Sequence, residues 1–204
     1  MKQAILAGGF ALVLSPLAAV AGGYVEPAAV APLPVAPAPA PTGYDWGGFY
    51  GGVQLEYGDA QIDDNAGNPF ADGTGEVYGL FGGYRYDFGN FVVGAELDLM
   101  VASIDIGGAF GGTIDTIHRL GVEAGYDAGP ALLYGTVGVA QASATRGGLD
   151  LQDNGIFYGA GIDYLVTDQI VIGAEVLQHN FDDFDGTTLD VDVTTFGINA
   201  AYRF

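Results

Sequence analysis

From about Tyr44 onward, apolar and polar residues alternate with period two in runs of about ten residues, separated by turn-forming clusters. That period puts successive side chains on opposite faces of a strand. Eight such runs are recognisable. The first, about Phe49 to Gly58, sets Val53, Leu55 and Tyr57 against Gln54 and Glu56. The second, about Glu76 to Tyr86, sets Tyr78, Leu80, Tyr84 and Tyr86 against Arg85. The third, about Phe91 to Val101, sets Val93, Ala95, Leu97 and Leu99 against Glu96 and Asp98. In the fourth, about Thr113 to Tyr126, Leu120, Val122, Ala124 and Tyr126 oppose Arg119 and Glu123. The fifth, about Leu132 to Ala144, is small or apolar on both faces, so its facing stays open. The sixth, about Ile156 to Leu165, opposes Tyr158, Ala160, Ile162 and Tyr164 to Asp163 and two glycines. The seventh, about Ile170 to Phe181, opposes Ile172, Ala174 and Val176 to Glu175. The eighth, about Val191 to Phe204, opposes Phe196, Ile198, Ala200, Tyr202 and Phe204 to Asn199 and Arg203.

Soluble half-buried sheets alternate in the same way, but three features point to a membrane. The runs are long enough to cross a bilayer at a tilt. Tight turns at Asp87 to Asn90, Asp127 to Pro130 and Val166 to Gln169 alternate with longer polar stretches at 59–75, 102–112, 146–155 and 182–190. Short periplasmic turns and long external loops are the pattern of transmembrane barrels. Trp46, Tyr86, Tyr126, Tyr134, Tyr164, Tyr202 and Phe204 all fall at the short-turn end, which predicts an aromatic girdle at one interface. In hydrocarbon an open sheet edge leaves backbone groups unpaired, so the sheet must close. The expectation is an all-β fold over residues 44–204: a closed, antiparallel, up-and-down transmembrane barrel of eight strands. A weak repeat fits it, with Val92-Val93-Gly94-Ala95-Glu96-Leu97 recurring as Val171-Ile172-Gly173-Ala174-Glu175-Val176.

Residues 1–21 read as a secretory signal peptide, with Lys2, an apolar stretch from Ala4 to Leu14, and Ala19-Val20-Ala21 before the cut. Residues 22–43 carry Pro27, Pro32, Pro34, Pro37, Pro39 and Pro41 among alanines and read as a semi-stiff periplasmic tether. The chain has no cysteine, which removes disulfides, thiolate metal sites and a lipoprotein anchor. Twenty-five acidic residues against 5 basic ones argue against nucleic-acid binding, which needs clustered positive charge.

The segment Trp46-Gly47-Gly48-Phe49-Tyr50-Gly51-Gly52, the pattern Gly82-Gly83-Tyr84-Arg85-Tyr86 and the C-terminal strand ending in Phe204 resemble small outer-membrane barrels of the opacity-protein or OmpA-like porin family. The resemblance covers residues 44–204. It implies both termini in the periplasm, and an assembly signal in Phe196, Ile198, Tyr202 and Phe204 that the barrel-assembly machinery reads. It implies little about activity, because such families include structural, adhesive and weakly conducting members.

The predicted inward face carries the most informative chemistry. Arg85, Arg119 and Arg203 would sit among Glu56, Glu96, Asp98, Glu123, Asp163 and Glu175. A narrow barrel is just filled by its side chains, and buried charges need partners, which favours a plug. The surplus of inward acids favours the alternative, a narrow cation-preferring channel. Acidic residues in the long loops suit solvation, or weak divalent bridging to lipopolysaccharide phosphates, and match no metal-site spacing. His118, His179, Ser103 and Ser143 supply the ingredients of a hydrolase without a local signature, so the histidines read as polar rim residues. The expected role is a structural, monomeric outer-membrane barrel that stabilises the envelope without cofactor, metal or catalysis. Its expected partners are membrane lipid and lipopolysaccharide, and adhesion through the loops is a further alternative.

Overall fold

The computed structural model describes residues 44–108 and 111–204. The expected signal peptide at 1–21 and tether at 22–43 lie outside the described residues. The strands are β1 (Gly48–Asp64), β2 (Pro69–Asp87), β3 (Phe91–Ile106), β4 (Gly112–Asp127), β5 (Ala131–Arg146), β6 (Leu149–Leu165), β7 (Ile170–Phe181) and β8 (Leu189–Arg203). Each pairs antiparallel with its neighbour in sequence, and β8 pairs back onto β1 from Tyr50↔Arg203 to Asp64↔Leu189, closing the barrel. The tight turns are built by their own side chains: Asp87 Oδ1 accepts from Gly89 N at 2.6 Å, and Asp127 Oδ1 from Gly129 N at 2.7 Å. Both glycines have positive φ, which a Cβ would strain.

The polar stretches expected to be long loops are mostly strand. β1 and β2 run on to Asp64 and Pro69, β3 to Ile106, and β6 begins at Leu149. The reason lies in an inversion of the alternation. In the lower barrel, apolar residues such as Leu55, Leu80, Leu97, Leu120 and Ile198 face outward, and Gln54, Arg85, Asp98, Arg119 and Glu123 face inward. Above Tyr57 on β1 and Val101 on β3 the sense reverses. Asp59 and Gln61 point out while Ala60 and Ile62 are buried inside, and Ser103 and Asp105 alternate with buried Ile104 and Ile106. Asp190 and Asp192 on β8 alternate in the same way with buried Val191 and Val193.

The two solvents explain the switch. A strand in hydrocarbon turns its apolar side out, whereas a strand in water turns it in. β1 has 17 residues, which at ~3.3 Å per residue and ~40° tilt rise about 43 Å, well beyond the ~25 Å apolar band of an outer-membrane barrel. The barrel therefore stands above the membrane as a water-facing extension with its own hydrophobic core. That core includes Ile62, Val77, Met100, Ile104, Ile114, Ile117, Phe157, Leu177, Phe181 and Val193, and Phe184 from the helical turn Phe184–Gly186 packs into it. A second, smaller cluster at the opposite mouth holds Trp46, Tyr50, Phe81, Val92, Leu132, Tyr134, Leu165, Val171 and Ala201.

Candidate functional site

Between these two apolar layers lies a belt of charge, tiered around two arginines. Inward-facing glycines make room for it. A Cβ at Gly83 would collide with the Tyr50 ring, and one at Gly161 with the Tyr134 ring. The lower tier centres on Arg85. Its Nε donates to Glu123 Oε1 at 2.6 Å and its Nη2 to Glu123 Oε2 at 2.9 Å, a two-pronged grip, while Nη1 donates to Asp163 Oδ2 at 2.7 Å. Aromatic faces surround the same guanidinium, with the Tyr50 ring 4.5 Å away, Tyr134 at 5.5 Å and Trp46 at 5.9 Å. The Tyr50 hydroxyl lies 2.8 Å from Glu96 Oε2 and 3.1 Å from Glu123 Oε1, donating to one at a time.

The upper tier centres on Arg119, whose side chain is 1 % exposed. Its Nη2 reaches Glu56 at 2.8 Å, Asp98 at 3.3 Å and Glu175 at 3.5 Å. Gln54 Nε2 donates to Asp98 Oδ1 at 2.8 Å, and the Tyr134 hydroxyl donates to Glu175 Oε2 at 3.2 Å. Every expected inward acid is thus bonded in one of the two tiers, Glu96, Glu123 and Asp163 around Arg85 and Tyr50, and Glu56, Asp98 and Glu175 around Arg119, and the Tyr134 ring beside Arg85 links the tiers.

Arg203 points inward but stands apart from the belt. It donates to backbone carbonyls of Asp45, Gly47 and Asp168 at the mouth where the tight turns lie, and it is 5.9 Å from the Trp46 ring. Two residues expected in the outer girdle are inside. Trp46 is 1 % exposed. Its Nε1 donates to Gly129 O at 3.3 Å and its backbone N to Asp87 Oδ2 at 2.8 Å. It precedes β1, so strand alternation does not govern it, and the chain enters across the mouth as a cork. Tyr134 is 8 % exposed. The pairing Leu132↔Asp163 settles the facing of β5 and turns Tyr134 toward the lumen with Leu132. Tyr86, Tyr126, Tyr164, Tyr202 and Phe204 face outward, as do Phe196 and Ile198.

His179 is also displaced from its expected place on the rim. It is fully buried in the lumen, its ring stacked on Phe157 with centroids 5.9 Å apart and its Nδ1 3.0 Å from Val193 O. His118 Nδ1 takes the backbone amide of Met100 at 3.2 Å. Among the described residues neither histidine bonds Ser103 or Ser143, and no three His, Asp or Glu side chains are grouped to hold a metal ion.

Gln54 lies on the inward face beside Glu56, as the alternation of β1 predicts, whereas the alternation does not place Tyr50 or the sealing layers. The cavity left among Trp46, Tyr50, Arg85, Asp163, Asn199 and Arg203 measures about 10 Å³, room for one water molecule at most.

A family model for the outer membrane protein beta-barrel domain matches residues 28–204. A 22 kDa outer membrane protein of Rhizobium leguminosarum bv. viciae is 30% identical over 166 residues, 78% of this chain and 74% of the relative. Among solved structures, Ail, the attachment invasion locus protein of Yersinia pestis, superposes with a TM-score of 0.50 at 18% identity, over 77% of this chain and 99% of Ail. Neisserial surface protein A does so with a TM-score of 0.48 at 17% identity, over 76% of this chain and 97% of its own. At such identities the likeness to the solved structures concerns the fold alone.

Proposed function

Because this chain belongs to the outer membrane protein beta-barrel domain family and resides in the outer membrane, we propose that it is a non-conducting structural barrel that contributes to envelope integrity. The observation that carries this reading is the solid lumen. A Trp46 cork, a bonded charge belt and an apolar core lie in series along the axis. An ion crossing the barrel would have to shed its hydration among side chains such as Ile104, Ile117 and Phe181, which offer no replacement ligands. The surplus of acids in the belt is the one feature that favours the cation-channel alternative, and it requires both apolar layers to open.

A catalytic role finds no support in the serines. Ser103 and Ser143 lie on the outward face of β3 and β5, opposite to buried His179. The outward tyrosines and phenylalanines at the lower rim suit lipid headgroups. The acidic extension above the membrane suits the cation-bridged lipopolysaccharide surface, with the C-terminal strand as the segment the barrel-assembly machinery engages. Nothing in this reading needs a second copy.

A deletion strain tests the reading. Loss of the protein is expected to raise detergent sensitivity and dye entry, and a folded Glu96→Gln variant is expected to restore the barrier as well as the native chain does. An intact barrier in the deletion strain, together with reduced cation uptake, would move the assignment to the channel.

A further inference from the structure

On the outer face of β2–β6 the lipid-facing band is hollowed. The register sets Tyr84, Ala95, Val122, Val137 and Tyr158 side by side, one from each strand. Ala124 and Gly135 continue this floor on the next row toward the tight turns. Larger outward side chains flank it, Leu97 and Leu120 on one side and Tyr126 and Leu133 on the other. Between them lies a groove of about 770 Å³, within the ~300–1,000 Å³ of ordinary ligand pockets. Four inter-strand steps of ~4.8 Å make it about 19 Å long. Tyr84 lies three residues from Asp87 at the end of β2, and Tyr158 seven from Leu165 at the end of β6. At ~3.3 Å per residue and ~40° tilt, the groove climbs from about 8 Å to about 18 Å above the tight-turn end, inside the ~25 Å apolar band.

We infer that this groove binds one acyl chain of a glycerophospholipid, which enters at the tight-turn interface beside Tyr86. The groove is continuous with the outward apolar band that faces hydrocarbon, so its occupant is apolar. A flexible chain lying in it touches the floor and both flanks at once, whereas a chain on the convex surface elsewhere touches one side, and dispersion contacts add up. The entrance is set before the chain arrives. The Tyr84 ring stands edge-on to Phe49 at 4.8 Å and the Tyr86 ring leans on Phe88 at 4.6 Å, so little freedom is lost there on binding. One leaflet of a ~30 Å hydrocarbon core is ~15 Å deep, and a chain lying obliquely through it matches the length of the groove.

Charge and shape select this occupant. The phosphates of lipopolysaccharide call for arginine or lysine, but Arg85 and Arg119 point into the lumen and Arg146 ends β5 at the far end from the tight turns. Asp87 and Asp127 close β2 and β4 at the entrance, which favours a headgroup that carries an ammonium beside its phosphate, as phosphatidylethanolamine does. Short turns of outer-membrane barrels lie on the periplasmic side, where the leaflet is built of such phospholipids. A second copy of this chain is convex as well, and two grooves set face to face would enclose a void instead of filling it. The inference is independent of whether the lumen conducts.

The test releases the mature chain from nanodiscs of phosphatidylethanolamine and lipid A in equal parts and weighs it by native mass spectrometry. One phosphatidylethanolamine is expected to stay on the barrel at collision energies that strip the remaining lipid. Ala95→Phe combined with Ala124→Phe fills the groove and is expected to lower the fraction of barrels carrying that lipid at least about tenfold. Ala200→Phe, on the outward face of β8 away from the groove, is expected to leave that fraction unchanged. Retention of lipid A in place of phosphatidylethanolamine, a dimer mass, the absence of retained lipid, or equal retention by the filled variant would each overturn the inference. If the double variant does not fold, Gly135→Val decides instead: the nearest atom to an added Cβ there is 3.7 Å away, the side chain narrows the floor, and undiminished retention would overturn the inference.

Discussion

Replacing Arg119 by methionine tests whether the charge belt is dry. The guanidinium is the upper node of the belt, bonded to Glu56 at 2.8 Å and within 3.5 Å of Glu175. Methionine roughly keeps the volume and removes the charge, leaving Glu56, Asp98 and Glu175 facing one another. Removing one partner of a buried pair costs about 3–5 kcal/mol, against ~0–1 kcal/mol for pairs that water screens. The upper figure is a large share of the ~5–15 kcal/mol that holds a typical domain folded. Urea unfolding of the refolded mature chain in detergent, read by the heat-sensitive gel shift, measures the difference. Adding Glu56→Gln to Arg119→Met neutralises the closest of the stranded carboxylates and is expected to recover about 1–2 kcal/mol. A loss below about 1 kcal/mol for Arg119→Met would mean that water reaches the carboxylates, and the dry lumen would fall with it.

Three further outcomes follow from the inversion of facing, the glycine floor and the β1–β2 tip. Leu55→Lys, in the lipid-facing band, is expected to cost about 2–4 kcal/mol, whereas Gln61→Lys, on the same face of β1 above the membrane, is expected to stay within ~0.5 kcal/mol; equal costs in a urea series would place the boundary wrongly. Gly161→Ala forces the Tyr134 ring from its place and is expected to cost about 1–3 kcal/mol, while Gly135→Ala on the outward face of β5, where the nearest atom is 3.7 Å away, is expected to cost less than ~1 kcal/mol. Bonds from the Asn68 side chain, and then from the Asn68 and Ala66 amides, hold the Asp64 carboxyl below its ordinary value. That carboxylate's contribution to the tip is full above ~pH 4 and is lost as pH falls through its lowered folded value. Amide shifts of Ala66 and Asn68 followed by NMR should move together in that acid range and stay flat from pH 5 to 8, and movement near neutrality would contradict the assignment.

The lower barrel was legible because one rule governs it. Leu55 beside Glu56, or Leu97 beside Asp98, states at once which side meets lipid. The extension was hidden by the same rule applied with the wrong sense. Asp59-Ala60-Gln61-Ile62-Asp63 alternates as regularly as the strand below it, but its polar residues suggested a loop, because polarity alone does not say which solvent surrounds a strand. β5 could not be oriented from its own residues. Its facing comes from Asp163 across the ladder, a partner that only the fold identifies. Trp46 was misplaced for a related reason: it sits outside any strand, where periodicity carries no information, and its position is set by Gly129, Arg85 and Arg203 from three distant parts of the chain.

A lumen sealed by two apolar layers is most directly tested by single-channel recording of the refolded mature barrel in a planar bilayer, with folding verified by the heat-sensitive gel shift. The sealed barrel predicts a silent bilayer for the native chain. Stable conductance steps with cation preference, lost on combining Glu96→Gln with Asp98→Asn, would contradict it and establish a pore through the belt.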